Sequence, residues 1–176
     1  METLTVNQAM SKRAELKRLF EIKQMNVQSV SYNTIIKNKE LDGTEFISHE
    51  VQDFEEEFNQ MISLSDEIDM ISTLIAKANS LTELEINGEI ITVQNCLNRL
   101  STYRKRANTI RMILSRSRES QERKVDASGT TPYYRITTAN YDVVKMKESL
   151  EELEQDIMQM ELAVDKANND TVINIG

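Results

Sequence analysis

The residues best suited to chemistry lie in one third of the chain, where four of its five tyrosines accompany a cluster of basic residues. Arg104, Arg111 and Arg118 are spaced by seven, so they would lie on one face of a helix. Just downstream, residues 131–135 read Thr-Pro-Tyr-Tyr-Arg. Guanidinium groups bind phosphate bidentately, tyrosine rings stack on bases and threonine hydroxyls satisfy the remaining acceptors. These residue types suit the binding of a nucleotide but not its cleavage.

The arginine cluster and the tyrosine segment meet if the chain reverses between them. Arg116, Arg118 and Arg123 would then converge on the two tyrosines. The candidate ligand-binding residues are Arg111, Arg116, Arg118, Thr131, Tyr133, Tyr134 and Arg135. An alternative stays open, because arginines beside a heptad seam commonly pair with acidic residues on the neighbouring helix. This alternative is favoured for Arg104 and Arg111, and under it the tyrosines only cap the end of the bundle.

The sequence lacks the usual sets of catalytic and cofactor-binding residues. Its one histidine, His49, lies next to Glu50, so a capping or surface role is expected for it rather than a place in a Ser-His-Asp triad or a His-based zinc site. Its one cysteine, Cys96, falls among apolar helix positions and is predicted to be a buried thiol. There is no G-x-G-x-x-G motif and no P-loop. We therefore expect a protein that is not an enzyme and that holds no cofactor or metal.

The composition favours a helical protein with an uneven distribution of charge. The chain has 176 residues, of which 39% are hydrophobic and 28% charged, enough for one domain with a real core. One proline and four glycines argue against a turn-rich β fold. The net charge of −8 argues against binding to DNA or to anionic membranes. Residues 40–70 contain no lysine or arginine, whereas residues 99–124 are strongly basic, so an acidic helix is expected to face a basic one, within one chain or between subunits.

Apolar periodicity predicts an all-α fold, an elongated antiparallel helical bundle or coiled coil with short β-hairpin excursions. A single helical domain is expected to span residues 1–176, with helices at about 6–30, 50–79, 93–124 and 141–168. Asn87-Gly88 predicts a hairpin at about 83–92, and Thr92 is placed to cap the helix that follows. A second small hairpin is indicated around Asp42-Gly43. Residues 125–140 lose the helical period and are expected to form a polar loop.

Surplus apolar positions on the second and fourth predicted helices indicate self-association. The fourth helix keeps an unbroken 3-4 spacing of apolar residues from Val143 to Ala167, which is typical of a coiled-coil seam. A homo-oligomer is therefore expected. The N-terminus lacks the basic and apolar regions of a signal peptide, and no apolar run approaches the ~20 residues that span a bilayer. A cytoplasmic location is expected.

Three stretches resemble the septicolysin-like family of small helical proteins from bacteria and phages. Residues 9–16, Ala-Met-Ser-Lys-Arg-Ala-Glu-Leu, are similar to the opening helix of that family. Residues 74–79, with Gly88 and Thr92 after them, resemble its middle signature, and residues 142–168 resemble its C-terminal end. Residues 97–99 depart from the pattern, because they read Leu-Asn-Arg where the family has Arg-Arg-Asp. The resemblance implies an α-helical, oligomeric fold and implies little about activity.

Two hypotheses about function follow. The first is a non-enzymatic oligomeric binding protein that sequesters or senses a small anionic ligand, a nucleotide above all; in a phage it would trap a host nucleotide signal. The second is a structural or coiled-coil interaction module with no small ligand. Membrane insertion by a lysin-like protein is disfavoured, because the chain is acidic and offers no basic amphipathic helix with aromatic anchors.

Overall fold

The computed structural model describes residues 2–47, 51–117, 119–129 and 131–175. The helices there are α1 (Val6–Gln28), α2 (Val30–Asn33), α3 (Phe54–Leu81), α4 (Val93–Arg116) and α5 (Val143–Asp170). The strands are β1 (Glu2–Thr5), β2 (Lys37–Lys39), β3 (Glu45–Ile47), β4 (Glu83–Ile86), β5 (Glu89–Thr92), β6 (Ser120–Val125), β7 (Pro132–Thr137) and β8 (Val172–Ile175). The predicted roles of His49 and Arg118 concern residues outside these ranges.

The fold is mixed α/β, so the prediction of an all-α bundle is wrong. Of the described residues, 63% are helical and 20% lie in strands, which pair as four antiparallel sheets of two strands each. The prediction fits in part, because most of the described residues do lie in helices. The physical reason is that hydrogen bonding between strands overrides local helix propensity. The sequence of one strand does not reveal which segment it pairs with.

The first compact unit comprises the chain up to Leu81 together with the residues from Asn168 onward. In it α1 packs along α3, and the two ends of the chain pair as β1 and β8, with Leu4 opposite Ile173. A capping box fixes the start of α1, where the Thr5 hydroxyl accepts from the Gln8 amide and the Gln8 side chain accepts from the Thr5 amide. The buried core consists of Val6, Ala9, Leu16, Ile71, Ile75, Ala78, Ile173 and Ile175.

The second compact unit comprises Thr82–Ala167. Its buried core lies among the β4–β5 hairpin, α4 and α5 and consists of Leu84, Ile91, Val93, Cys96, Leu100, Met160 and Val164. Cys96 is fully buried, as predicted, and desolvation by burial raises the pKa of its thiol. The chain thus forms two compact units. The expectation that residues 1–176 fold as a single domain stays a prediction.

The β4–β5 hairpin occupies the segment that the Asn-Gly signal indicated. Asn87 and Gly88 have φ values of 51° and 80°, and Ile86 pairs with Glu89, as a two-residue turn with two left-handed residues requires. Thr92 caps α4, because its hydroxyl accepts from the amide of Asn95 at 3.2 Å. The connector after α2 likewise forms a small hairpin of β2 and β3.

The helices differ from the predicted ones mainly at their ends. α4 stops at Arg116 rather than near residue 124, and the residues after it enter β6. The predicted polar loop at 125–140 is wrong over residues 132–137, which form β7 and pair with β6. The reason is again pairing, since each of the six residues of β6 lies opposite one residue of β7. No helix within the described ranges combines the length and the apolar character needed to cross a bilayer.

Candidate functional site

The β6–β7 hairpin carries most of the predicted ligand-binding residues, and a structured turn sets its geometry. The Asp126 amide donates to the Thr131 carbonyl at 3.0 Å, and the Asp126 carboxylate accepts from the Thr131 amide at 3.1 Å. Gly129 lies in this turn with φ of 73°, a conformation that favours glycine. The main chain of Thr131 therefore closes the turn, while the residue itself is exposed.

Strand alternation divides the hairpin into two faces. Lys124 pairs with Tyr133 and Glu122 pairs with Arg135, and these four residues form what we name the Tyr133 face. The intervening pairs form the opposite, Tyr134 face, which consists of Gln121, Arg123, Val125, Pro132, Tyr134 and Ile136. Tyr133 and Tyr134 therefore lie on opposite sides of the hairpin. The expected convergence of arginines on both rings at once does not form within this hairpin.

The Tyr133 face places two cations around an exposed ring. Lys124 lies across from Tyr133 on the neighbouring strand, and Arg135 lies two residues further along β7 on the same face. The Lys124 ammonium contacts the Glu122 carboxylate at 2.7 Å. The hydrogen bond from Lys124, with a smaller contribution from the charge of Arg135, holds the pKa of Glu122 below its usual range. The face thus carries two cations and one ionised carboxylate.

The Tyr134 face is less polar and holds one cation. Arg123 lies directly opposite Tyr134, and within the described residues its guanidinium has no ion-pair or hydrogen-bond partner. Val125, Tyr134 and Ile136 are all exposed on this face. Its character is that of an uncovered apolar surface with one positive charge at its centre.

Arg111 lies away from the hairpin strands, in a groove between α4 and α5. Its Nε and Nη2 atoms donate to Oε1 of Glu154 at 3.1 and 2.6 Å. One heptad earlier, Arg104 donates to Glu161 at 2.6 Å, and the fully buried Ala107 lies between the two arginines in the lining of this groove of about 460 Å³. These contacts are the ion pairs of the alternative interpretation, so they favour a structural role for Arg104 and Arg111.

The C-terminal end of α4 is hydrogen-bonded to the segment that connects β7 to α5. The hydroxyls of Ser117 and Tyr141 form a hydrogen bond, and the Tyr141 hydroxyl also donates to the Ile113 carbonyl at 3.5 Å. Arg116 is exposed in the last turn of the helix. Tyr141 is not among the predicted ligand-binding residues, although its position before α5 places it within reach of this helix end.

A polar cavity of about 190 Å³ between the β4–β5 turn, α4 and α5 was not predicted. Arg99 makes a bidentate ion pair with Glu89, with two N–O distances of 2.6 Å, which lowers the pKa of the Glu89 carboxyl. The Asn87 amide donates to Asp156 at 3.4 Å. In the part of the chain that the structure describes, no group of three His, Cys, Asp or Glu residues is arranged to hold a metal ion.

Comparison with known proteins establishes likeness of fold alone. The sequence matches no family model, and no curated protein matches it. The chain is similar to the crystal structure of a functionally unknown conserved protein from Corynebacterium diphtheriae, with a TM-score of 0.66 and 14% identity over 98% of this chain and 100% of that one. The similarity extends over the mixed α/β fold. The resemblance to the septicolysin-like family stays a prediction.

Proposed function

We propose that this protein is a non-enzymatic, oligomeric binding protein that sequesters or senses a small anionic ligand, a nucleotide in particular. The observation that carries the proposal is the Tyr133 face, where Lys124 and Arg135 flank an exposed tyrosine ring on a hairpin whose strands are almost wholly exposed. Binding residues are found disproportionately on exposed connecting segments of this kind.

The chemistry of the face matches the two ends of a nucleotide. A phosphate group accepts charge-assisted hydrogen bonds from the Arg135 guanidinium and the Lys124 ammonium. A base stacks on the Tyr133 ring, an interaction that tolerates different bases because each has a π-face. Glu122 competes with the phosphate for Lys124, so the bound anion replaces part of an existing ion pair.

The proposal is for binding rather than reaction, because the one carboxylate on this face is already engaged by Lys124. A cytoplasmic location belongs to the proposal, since nucleotides are abundant there and the single cysteine is a buried thiol. If the gene comes from a phage, the protein would trap a host nucleotide signal.

The test is calorimetric titration with inorganic phosphate, adenosine, AMP and ATP. We expect AMP and ATP to bind more tightly than phosphate, and adenosine to bind weakly, because both the ring and the cations contribute. Arg135→Gln should weaken AMP binding about tenfold or more, the usual effect of losing a hydrogen bond to a charged group. The matched control is Arg123→Gln, which removes the same charge from the opposite face of the hairpin and should change affinity by less than about threefold.

Two results would contradict the proposal. One is the absence of measurable heat with all four compounds at millimolar concentrations. The other is an equal loss of affinity in both arginine variants, which would mean that general positive charge, not the Tyr133 face, attracts the anion.

A structural or interaction module is the second candidate, and one observation favours it. Val144, Met158 and Leu162 are exposed on the side of α5 opposite its buried residues Leu153 and Met160. That apolar strip would serve a partner helix. This second candidate predicts that Leu162→Asp abolishes binding of the partner. It also predicts that substitutions on the Tyr133 face leave that binding unchanged.

A further inference from the structure

The Tyr134 face leaves three neighbouring apolar side chains uncovered. Val125, Tyr134 and Ile136 are 57, 62 and 66% exposed in the chain. They come from two paired strands, and within the described residues no third strand pairs with either of them. An isolated two-stranded hairpin is marginally stable in water, so covering this face would stabilise it.

A second exposed apolar surface lies on the first half of α3. Phe54, Phe58 and Ile62 recur every four residues, so they form one stripe along the helix. They are 38, 41 and 43% exposed, and the two phenylalanine rings stack with their centroids 5.8 Å apart. We name this surface the Phe58 stripe.

The two surfaces have opposite charge. Asp53, Glu55 and Glu56 stand at the start of α3, and at 100° per residue Glu55 lies beside the Phe58 stripe. Glu56, Asn59, Gln60 and Ser63 line a groove on another side of the helix. The Tyr134 face has Arg123 at its centre, and within the described residues that guanidinium has no acidic partner. Each surface is an exposed apolar patch, and Glu55 beside the stripe carries the charge opposite to that of Arg123.

We infer that the Tyr134 face of one copy of this protein docks on the Phe58 stripe of a second copy. Both surfaces are exposed, and every additional copy brings both. Arg123 would then meet Glu55, and Tyr134 and Ile136 would pack on the phenylalanine rings. Because the contact joins two different patches, it is reciprocal within a dimer, or it repeats around a closed ring or along an open filament.

This inference rests on the self-association in the proposed function but not on the ligand. The Tyr133 face points away from the docked surface and stays open to solvent when the Tyr134 face is covered. Loss of docking and loss of ligand binding are therefore separate outcomes, one measured by mass and the other by titration.

The test measures mass by light scattering for the wild-type protein and for Ile136→Asp and Phe58→Asp variants. We expect the wild type to be an oligomer and each variant to have the monomer mass of 20.3 kDa. An equimolar mixture of the two variants should form a one-to-one complex, because one variant keeps an intact stripe and the other an intact face. Circular dichroism checks that both variants are folded; both sites are exposed, so the folds should persist.

The matched control is Leu162→Asp, which places the same charge on an exposed apolar residue of α5 and should leave the wild-type mass unchanged. A wild-type monomer, an Ile136→Asp variant of wild-type mass, or variants that stay monomeric on mixing would each overturn the inference. An oligomer that only Leu162→Asp disrupts would place the contact on α5 instead.

A charge exchange tests the electrostatic half of the inference. Arg123→Glu should weaken self-association about tenfold or more, and combining it with Glu55→Lys should restore it. Failure of the combined variant to recover would remove Glu55 from the interface. Ile136→Asp should bind AMP as the wild type does, which separates a failure of docking from a failure of the ligand proposal.

Discussion

Replacing Glu122 with glutamine should strengthen anion binding by the Tyr133 face. The Glu122 carboxylate holds Lys124 at 2.7 Å and lies opposite Arg135, so it occupies one cation of the site and repels an incoming phosphate. Its pKa is lowered by these same cations, so the carboxylate is ionised throughout the neutral range. Glutamine keeps the shape of the side chain and removes the charge.

The size of the gain follows from the distances on this face. Neighbouring side chains across two strands are about 5 to 7 Å apart, so a phosphate between Lys124 and Arg135 lies roughly 6 Å from the Glu122 carboxylate. At that distance in water, removing one unit of negative charge improves binding of a singly charged anion about threefold, and of a doubly charged one by up to about tenfold before salt screening. At physiological salt, screening over ~8 Å reduces the gain to about two- to fivefold for AMP.

The assay is calorimetric titration of AMP and adenosine at low and at physiological salt. Glu122→Gln should lower the Kd for AMP, leave that for adenosine unchanged, and show the larger gain at low salt. The control is Glu45→Gln, which breaks the comparable pair of Glu45 with Lys39 on the β2–β3 hairpin and should leave the Kd for AMP unchanged. Weaker AMP binding by Glu122→Gln would refute the assignment, because it would mean that Glu122 positions Lys124 or contacts the ligand.

Further predictions concern the rest of the chain. Arg111→Gln should leave AMP affinity unchanged in titration and cost only about 0–1 kcal/mol in urea unfolding, since its pair with Glu154 is half exposed; an affinity loss as large as that of a binding-site variant would contradict this. Gly88→Ala should destabilise the protein by about 1 kcal/mol or more in thermal unfolding, because alanine is strained at φ of 80°, and an unchanged Tm would count against the turn geometry. Glu57→Gln should lower the Tm at pH 7 by removing the ion pair with Lys23. Because that ion pair lowers the pKa of Glu57, the Tm difference between wild type and variant should disappear as pH falls below about 4.5. A Tm difference that stays constant down to pH 3 would contradict this prediction.

Local signals were enough to predict some elements. Asn87-Gly88 specifies a two-residue turn because few other residue pairs tolerate two left-handed conformations in succession. Thr92 caps α4 through a hydroxyl that competes well for the free amides of a first turn. These elements depend on residues within a few positions of one another, so the chain displays them directly.

The remaining strands depend on partners far along the chain. β1 and β8 join the two ends of the protein, and nothing in residues 2–5 indicates that pairing. β6 reads Ser-Gln-Glu-Arg-Lys-Val, which has no apolar alternation and contains good helix formers. The signals that could have found the hairpin were the aromatic and β-branched residues of β7 and the Asp-Ala-Ser-Gly turn before it.

The candidate site was predicted by residue type but not by geometry. Tyr133, Tyr134 and Arg135 do share one exposed hairpin, but the two-residue period of a strand puts the adjacent tyrosines on opposite faces. The prediction of a polar loop carries no such alternation. Arg111 illustrates the other limit, because its seven-residue spacing favours a helix-flanking ion pair over a ligand site but does not identify the acidic partner. In the structure the Arg111 guanidinium donates to Glu154 of α5, so the contact that Arg111 makes is an ion pair.

Native mass spectrometry of the protein purified from its own cells tests the central proposal most directly, because it reports subunit number and retained ligand together. We expect an oligomer of the 20.3 kDa chain that carries additional mass equal to a nucleotide, and we expect the Arg135→Gln variant to form the same oligomer without that mass. A wild-type oligomer with no added mass, and with no gain when AMP or ATP is supplied, would contradict the proposed function.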